Sequence, residues 1–360
     1  IEESIINTSY RTTYEEINAL LLEKDPNLIK KYQAIVPMLE AMGELQALLK
    51  KRRERLGSLD FDLPESKIIL DDKGKPIDIV IRKRKLSERM IEEFMICANE
   101  TVAEHFYWLE TPFLYRVHDK PDSDKMDLIQ TIVTAEGLSF SYSPDHVEAK
   151  ELQNLLKEIK ESKMAYPLNM LLLRSMKHAH YSAHAEGHFG LGLKYYTHFT
   201  SPIRRYSDLA IHRVIKEHLS VGLSTKRLKY LAPLMEKYAS QASKTELLAE
   251  TTERQAVGLK KVQFMSDKVL EIFEARIVSV TGFGFFVQLD NLVEGLVHLS
   301  TLDDDFYDVV PEQMALVGKH SKKQYKVGDI VRVKLVRVDT SEVKLDFELV
   351  KDKQDENSCQ

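Results

Sequence analysis

The sequence predicts an α+β chain: a mostly helical region with a few strands, followed by a small five-stranded β-barrel. Up to about Leu270, apolar residues recur at helical spacing between capping signals, whereas EARIVSVTGFGFFVQLDNLVEGLVHLS and YKVGDIVRVKLVRVDTSEVKLDFEL alternate and are β-branched and glycine-punctuated. Length is the third observation, since 360 residues exceed one ordinary domain and leave room for two or three. Divisions at 1–270, 271–350 and a polar tail at 351–360 follow from the change of pattern.

Each element has a local cause. Thr13-Tyr14-Glu15-Glu16 has the spacing of a capping box and starts a helix. A longer helix is expected from about Lys30 to Leu56, bent at Pro37 and stopped by Gly57. KIIL-DDKG-KPIDIVI reads as a β-hairpin turning at Gly74, and Ser87 as the N-cap of a helix reaching about Leu109. In that helix Ile91, Phe94, Met95, Ala98 and Val102 form the expected buried stripe, with Glu92 at its edge beside Ile96 and Asn99. FLYRV suggests a strand, and helices are expected near Lys125–Thr134, Val147–Lys163, Pro167–His180, Ser207–His218 and Thr225–Leu270. HFGLGLKYYTHFTSP, rich in glycine and aromatics, reads as a loop of the kind that carries function on a rigid scaffold.

Composition narrows the class. Hydrophobic residues at 43% and charged residues at 30% describe a soluble globular protein. No run approaches the roughly 18 apolar residues of a membrane helix, and IEESIINTSY lacks a signal-peptide layout, so a cytoplasmic protein is the expectation. Cys97 and Cys359, in a helix and in the tail, suggest neither a disulfide nor a cysteine metal site. The net charge of -5 still leaves basic clusters, KKRRER and RKRK, which hold a polyanion if they converge and are solvated faces if they do not.

Two constellations carry chemistry. In THFTSPIRRYSDLAIHR, Arg204 and Arg205 precede a helix opening with Ser207 and Asp208; alone they are a basic surface turn or a phosphate contact. Asp208 and His212 stand four apart on one helical face, a spacing that fits a structural pair supporting the Arg204 loop. In the barrel, a bulge at Gly284 would let Phe283 and Phe286 share a face near His298; such rings stack on unpaired bases, or else are barrel core.

These segments resemble known families. VTGFGFFVQL, EGLVHLS and VGDIVRVKLVRVD resemble the S1-type RNA-binding domain, an OB-fold barrel. HFGLGLKYYTHFTSPIRRYSDLAIHR, TTYEEIN, SERMIEEFMICANE and LYRVHDKP, in that family's order, resemble the ribonuclease II and ribonuclease R exoribonucleases over almost the whole chain, nearer the ribonuclease R branch. The resemblance implies processive hydrolysis of RNA from single-stranded 3′ ends, release of nucleoside 5′-monophosphates, magnesium as cofactor, no membrane partner and a monomer. It also implies that residues 1–270 are the C-terminal portion of an RNB-type catalytic domain. By resemblance Arg204 is the arginine at the scissile phosphate, Arg205 a second backbone contact, Glu92 a ribose contact, and Tyr14 and Phe61 the rings that pack on the terminal nucleotides.

The chain departs from the family in one main respect. The D-x5-D-x-DD run on which the family's metal site depends is not found; Asp60, the group Asp122, Asp124 and Asp127, and Asp303 to Asp305 lack the spacing and fall where turns are expected. No residue here is therefore assigned to a metal, and magnesium ligands are expected upstream of Ile1. A lesser departure is TTERQAVGLKK, where relatives tend to place acidic residues near Gly258 and Lys260. The expectation is a portion of an exoribonuclease, by truncation, proteolysis or a split gene, inactive alone. The alternatives are a non-catalytic RNA-binding protein of the same descent, or a partner completing a site on another chain.

Overall fold

A computed structural model describes residues 1–61, 64–135, 137, 138, 140, 147–160 and 165–350. The expected polar tail, Cys359 with it, lies outside the described residues, as does the expected helix end at Lys163. The chain opens with α1 (Tyr14–Asn18), whose capping box is formed as expected: Thr13 Oγ1 accepts from the Glu16 N–H at 3.2 Å, and Glu16 Oε2 accepts from the Thr13 N–H at 3.2 Å. A π turn (Ala19–Glu23), α2 (Pro26–Lys31) and α3 (Val36–Arg55) follow. The single bent helix expected here is thus two helices. Pro37 sits in the first turn of α3, where its missing N–H costs nothing, so it starts a helix and does not bend one. Gly57 ends the segment at φ +92°.

The hairpin β1 (Glu65–Leu70) and β2 (Pro76–Arg82) is antiparallel, and α4 (Leu86–Trp108) follows it. The N-cap of α4 is Lys85; Ser87 lies inside the first turn, its hydroxyl donating to the Tyr14 carbonyl at 3.0 Å. The buried stripe is also rotated from expectation. Met90, Glu93, Asn99, Val102, Ala103 and Phe106 are buried, while Ile91 is 37% exposed. The reason is electrostatic: Arg53 on α3 reaches Glu93, Nη2 to Oε1 at 2.7 Å, so a compensated carboxylate occupies the interior.

Two three-residue strands, β3 (Tyr115–Val117) and β4 (His180–Ser182), pair antiparallel and bracket α5 (Ser123–Ala135), α6 (Ala149–Ile159) and α7 (Ala165–Ser175). The expected helix to His180 therefore stops at Ser175, and its last residue, His180, opens β4. After the loop come α8 (Tyr206–Val221) and the 41-residue α9 (Thr225–Met265). At 1.5 Å per residue α9 runs about 60 Å. It packs Met235 and Ala239 into the core shared by α4, β3, β4 and α8, and Val262 and Met265 into the barrel core. Lys260 donates to the Gly74 carbonyl at 2.6 Å, tying α9 to the hairpin in place of an acidic contact.

The barrel is closed by β5 (Ile272–Thr281), β6 (Gly284–Leu289), β7 (Glu294–His298), β11 (Ile330–Asp339) and β12 (Lys344–Leu349), in the order β11-β12-β7-β6-β5. Period-two patterning fills its interior with Ile277, Phe285, Val287, Val297, Val333, Leu335 and Phe347. Between β7 and β11, three short strands, β8 (Tyr307–Val310), β9 (Ala315–Gly318) and β10 (Gln324–Lys326), form a separate small sheet that the sequence did not announce.

Candidate functional site

The loop 188–205 is fixed by polar contacts to neighbouring elements together with the burial of Leu193, Tyr195 and Tyr196. Gly192 has φ +64°, and a Cβ there would meet the Leu56 carbonyl oxygen at 2.5 Å, so only glycine fits this crossing. The Thr197 hydroxyl donates to the Leu114 carbonyl at 2.6 Å, and the Phe199 N–H donates to Asn99 Oδ1 at 2.9 Å. Asn99 Nδ2 in turn donates to the Tyr196 hydroxyl at 3.1 Å. His212 stacks on Phe199, ring centroids 4.4 Å apart at 4°, with Nε2 2.9 Å from the Phe199 carbonyl oxygen.

Asp208 is the hub. It is fully buried, and its carboxylate accepts from the Ser201 N–H at 2.8 Å, Arg205 Nη2 at 2.8 Å and the Ser207 hydroxyl at 3.1 Å. Paired and hydrogen-bonded, the charge is tolerated in the interior. Neighbouring arginines thus receive opposite treatment. Arg205 is 17% exposed and committed to Asp208, with its Nε buried and unpartnered; Arg204 is exposed and, among the described residues, its side chain makes no hydrogen bond or ion pair. Arg204 lines an open cleft with Tyr181, Arg205, Ser207 and the α9 residues Thr245, Glu246 and Glu250. Glu246 is occupied by an ion pair with Arg116, whose guanidinium lies 4.7 Å over the Tyr181 ring.

Two histidines of the loop itself are held neutral. Burial, with Arg205 and Arg116 close by, lowers His198 to about 2; burial, with His118 and Arg116, lowers His188 to about 3. His198 Nδ1 is 2.8 Å from the Tyr181 hydroxyl.

The other residues singled out from sequence fall elsewhere. Glu92 is part-exposed, its carboxylate 3.6 Å from Arg84, in a small polar cleft with Gln46, Lys50, Arg53, Asp60, Arg89 and Glu93, apart from the Arg204 cleft. Tyr14 is 42% exposed at the start of α1, whereas Phe61 packs against the α5–α7 core. In the barrel, the irregularity lies between Ile277 and Ser279 of β5 and not at Gly284, which instead adopts φ +147° after the turn. Phe283, 49% exposed, nonetheless meets Phe286 edge to face at 6.1 Å, while Phe285 enters the core; His298 pairs with Gly284 at the neighbouring register position and is exposed.

Asparagine 99 and glutamate 93 were the residues that sequence reasoning passed over. Both are polar positions on the buried face of α4, a signal visible only once the helix phase is known. Of the aspartates expected in turns, Asp124 and Asp127 instead lie inside α5, which begins at Ser123; Asp122 accepts from the Asp124 N–H, and Asp305 from the Phe306, His320 and Ser321 N–H groups. Among the described residues, one group of three metal-ligand side chains converges, Asp119, His180 and Glu186, and none converges beside Arg204.

The described residues thus combine a pinned loop that leaves the Arg204 side chain unpaired over a cleft with a closed barrel that carries Phe283 at its surface. The chain belongs to the RNB family: the RNB domain matches residues 1–221, and the S1 RNA binding domain matches residues 266–349. It is similar to ribonuclease R 1 of Lactococcus lactis, 40% identical over 348 residues, 97% of this chain and 42% of that one. Ribonuclease R of Thermotoga maritima is 38% identical over 353 residues, 97% of this chain and 49% of the relative. The chain therefore spans about half the length of these relatives or less. The solved Mycoplasma genitalium RNase R in complex with ribose-methylated single-stranded RNA superposes with a TM-score of 0.84 at 31% identity, covering 94% of this chain and 53% of that one. Yeast Ssd1, described as a pseudonuclease, shares the fold with a TM-score of 0.58 at 21% identity. No helix among the described residues is long and apolar enough to cross a membrane.

Proposed function

We propose that this chain is the RNA-gripping and phosphate-stabilising part of a cytoplasmic, monomeric exoribonuclease that degrades RNA processively from single-stranded 3′ ends. The observation that carries this reading is the contrast at the Arg-Arg pair, with Arg205 spent on Asp208 and Arg204 presented unpaired at the cleft. In each cycle water attacks the terminal phosphorus, the bond to the 3′ oxygen breaks, and a nucleoside 5′-monophosphate leaves while the shortened RNA keeps a 3′ hydroxyl. Arg204 supplies fork-shaped donors to the non-bridging oxygens as negative charge gathers there. Because the loop is pinned beforehand, no reorganisation is needed when the charge develops.

Magnesium belongs to this reading, but the residues present do not fit it: no ligand group converges at Arg204 among the described residues. Its ligands are proposed to lie outside residues 1–360, and this chain alone is proposed to bind RNA without cleaving it. Arg205 positions the loop, Glu92 contacts a ribose, Tyr14 and Phe61 pack on terminal nucleotides, and Phe283, Phe286 and His298 hold unpaired bases. A second reading, a non-catalytic RNA clamp of the same descent, is favoured by the missing D-x5-D-x-DD run alone.

Arg204→Ala in an enzyme carrying the complete catalytic domain separates the two. Turnover falls sharply at unchanged RNA affinity if Arg204 stabilises the phosphate; equal loss of both contradicts the role, and a complete protein without turnover establishes the clamp.

A further inference from the structure

Asp119, just beyond β3, His180, the first residue of β4, and Glu186, in the turn after β4, bring one ligand atom each to within 4.8 Å of one another. Three backbone segments deliver them, and those segments are locked together. Val117 pairs with His180 across the two strands, the His118 N–H donates to the Gly187 carbonyl at 3.1 Å, and His118 Nε2 lies 2.8 Å from the Lys177 carbonyl oxygen. Among the described residues none of the three side chains makes a hydrogen bond or an ion pair. Two carboxylates held this close repel each other, and a bound cation removes that repulsion. Among the described residues no arginine or lysine forms an ion pair with Asp119 or Glu186, whereas Glu93 and Glu246 have arginine partners.

We propose that Asp119, His180 and Glu186 bind a zinc ion. The donor set decides the metal: one imidazole nitrogen with two carboxylate oxygens suits zinc, whereas magnesium and calcium take oxygen alone. Three protein ligands leave the fourth tetrahedral position to water. The ion staples a weak point of the fold. β3 and β4 are three residues each and form an isolated two-stranded sheet, which is marginal by itself, yet the loop bearing Arg204 departs from its end. Asp119 lies far in sequence from His180 and Glu186, so the set as a whole has no local spacing motif.

The test uses the 360-residue chain, free of any histidine tag and stripped with a chelator, titrated calorimetrically with zinc chloride in the presence of excess magnesium. One zinc ion binds per chain, and thermal unfolding moves upward as zinc occupies the folded state. Changes one shell further out already cost about 10–100-fold in metal affinity, so His180→Ala and Glu186→Gln each weaken binding by at least about tenfold and abolish the thermal shift. His184→Ala, at an exposed neighbour paired with Glu236, leaves both unchanged. The absence of stoichiometric zinc, or wild-type zinc affinity in the two ligand variants with unchanged circular dichroism, overturns the proposal.

Discussion

The loop that presents Arg204 and the barrel that presents Phe283 are both platforms for exposed side chains, but they are rigid for different reasons. The loop is held by the buried polar groups Asp208, Asn99 and Thr197 and the half-buried His212, each satisfied by a named partner, beside its buried Leu193, Tyr195 and Tyr196. The barrel is held by an apolar interior in which Phe285 is fully buried while its neighbour Phe283 is exposed and Phe286 half-buried. A polar scaffold fixes a backbone to a fraction of an ångström but fails when one member is lost; an apolar one tolerates change on its outer face. The difference predicts that stability and binding are coupled in the loop and separable in the barrel.

The largest effect is expected at the hub. Asp208→Ala leaves the part-buried Arg205 guanidinium and Ser201 N–H without their acceptor and costs about 3–5 kcal/mol in urea unfolding. A cost below about 1 kcal/mol breaks the comparison, since the loop would then be held by something else.

Acid sharpens it. His188 and His198 fold with lowered pKa values of about 3 and about 2, against an ordinary 6.5. Between those limits the unfolded chain binds more protons than the folded one, so stability is complete above about pH 6.5 and declines as pH falls below it. Hydrogen exchange at Tyr196 and Phe199 should accelerate over that range ahead of the barrel amides. Equal acceleration in both regions contradicts the assignment.

On the barrel face the effect is on affinity. Phe283→Ala, Phe286→Ala and His298→Ala combined weaken binding of unstructured RNA, with about 1–3 kcal/mol for each base that loses a stacked ring. The unfolding midpoint moves little, and unchanged affinity returns those rings to a packing role. Smallest of all is the stability effect of Arg204→Ala, expected within about 0.5 kcal/mol because its side chain is exposed and unpaired.

What was legible in the sequence follows the same division. The barrel announced itself because period-two alternation is local, and the α1 start because a capping box is four consecutive residues. The Arg204 loop was legible as a motif, yet its support was only partly so. Asp208 and His212 share the loop's own helix, whereas Asn99 reaches it from 100 residues away. The phase of α4 was misjudged for a related reason: a helix with a carboxylate on either side of its apolar stripe has two plausible rotations, and Arg53, on another helix, selects Glu93 over Glu92. The small β8–β9–β10 sheet escaped notice because strands of three or four residues show too little periodicity.

The central claim is that these 360 residues grip RNA and present Arg204 but do not assemble the magnesium site of the reaction. Its most direct test incubates the chain with 5′-labelled single-stranded RNA and magnesium, with a chelator control, and follows product length on a gel beside a binding titration. Binding that weakens with salt, without any magnesium-dependent shortening, is the predicted result; chelator-sensitive trimming from the 3′ end would contradict it.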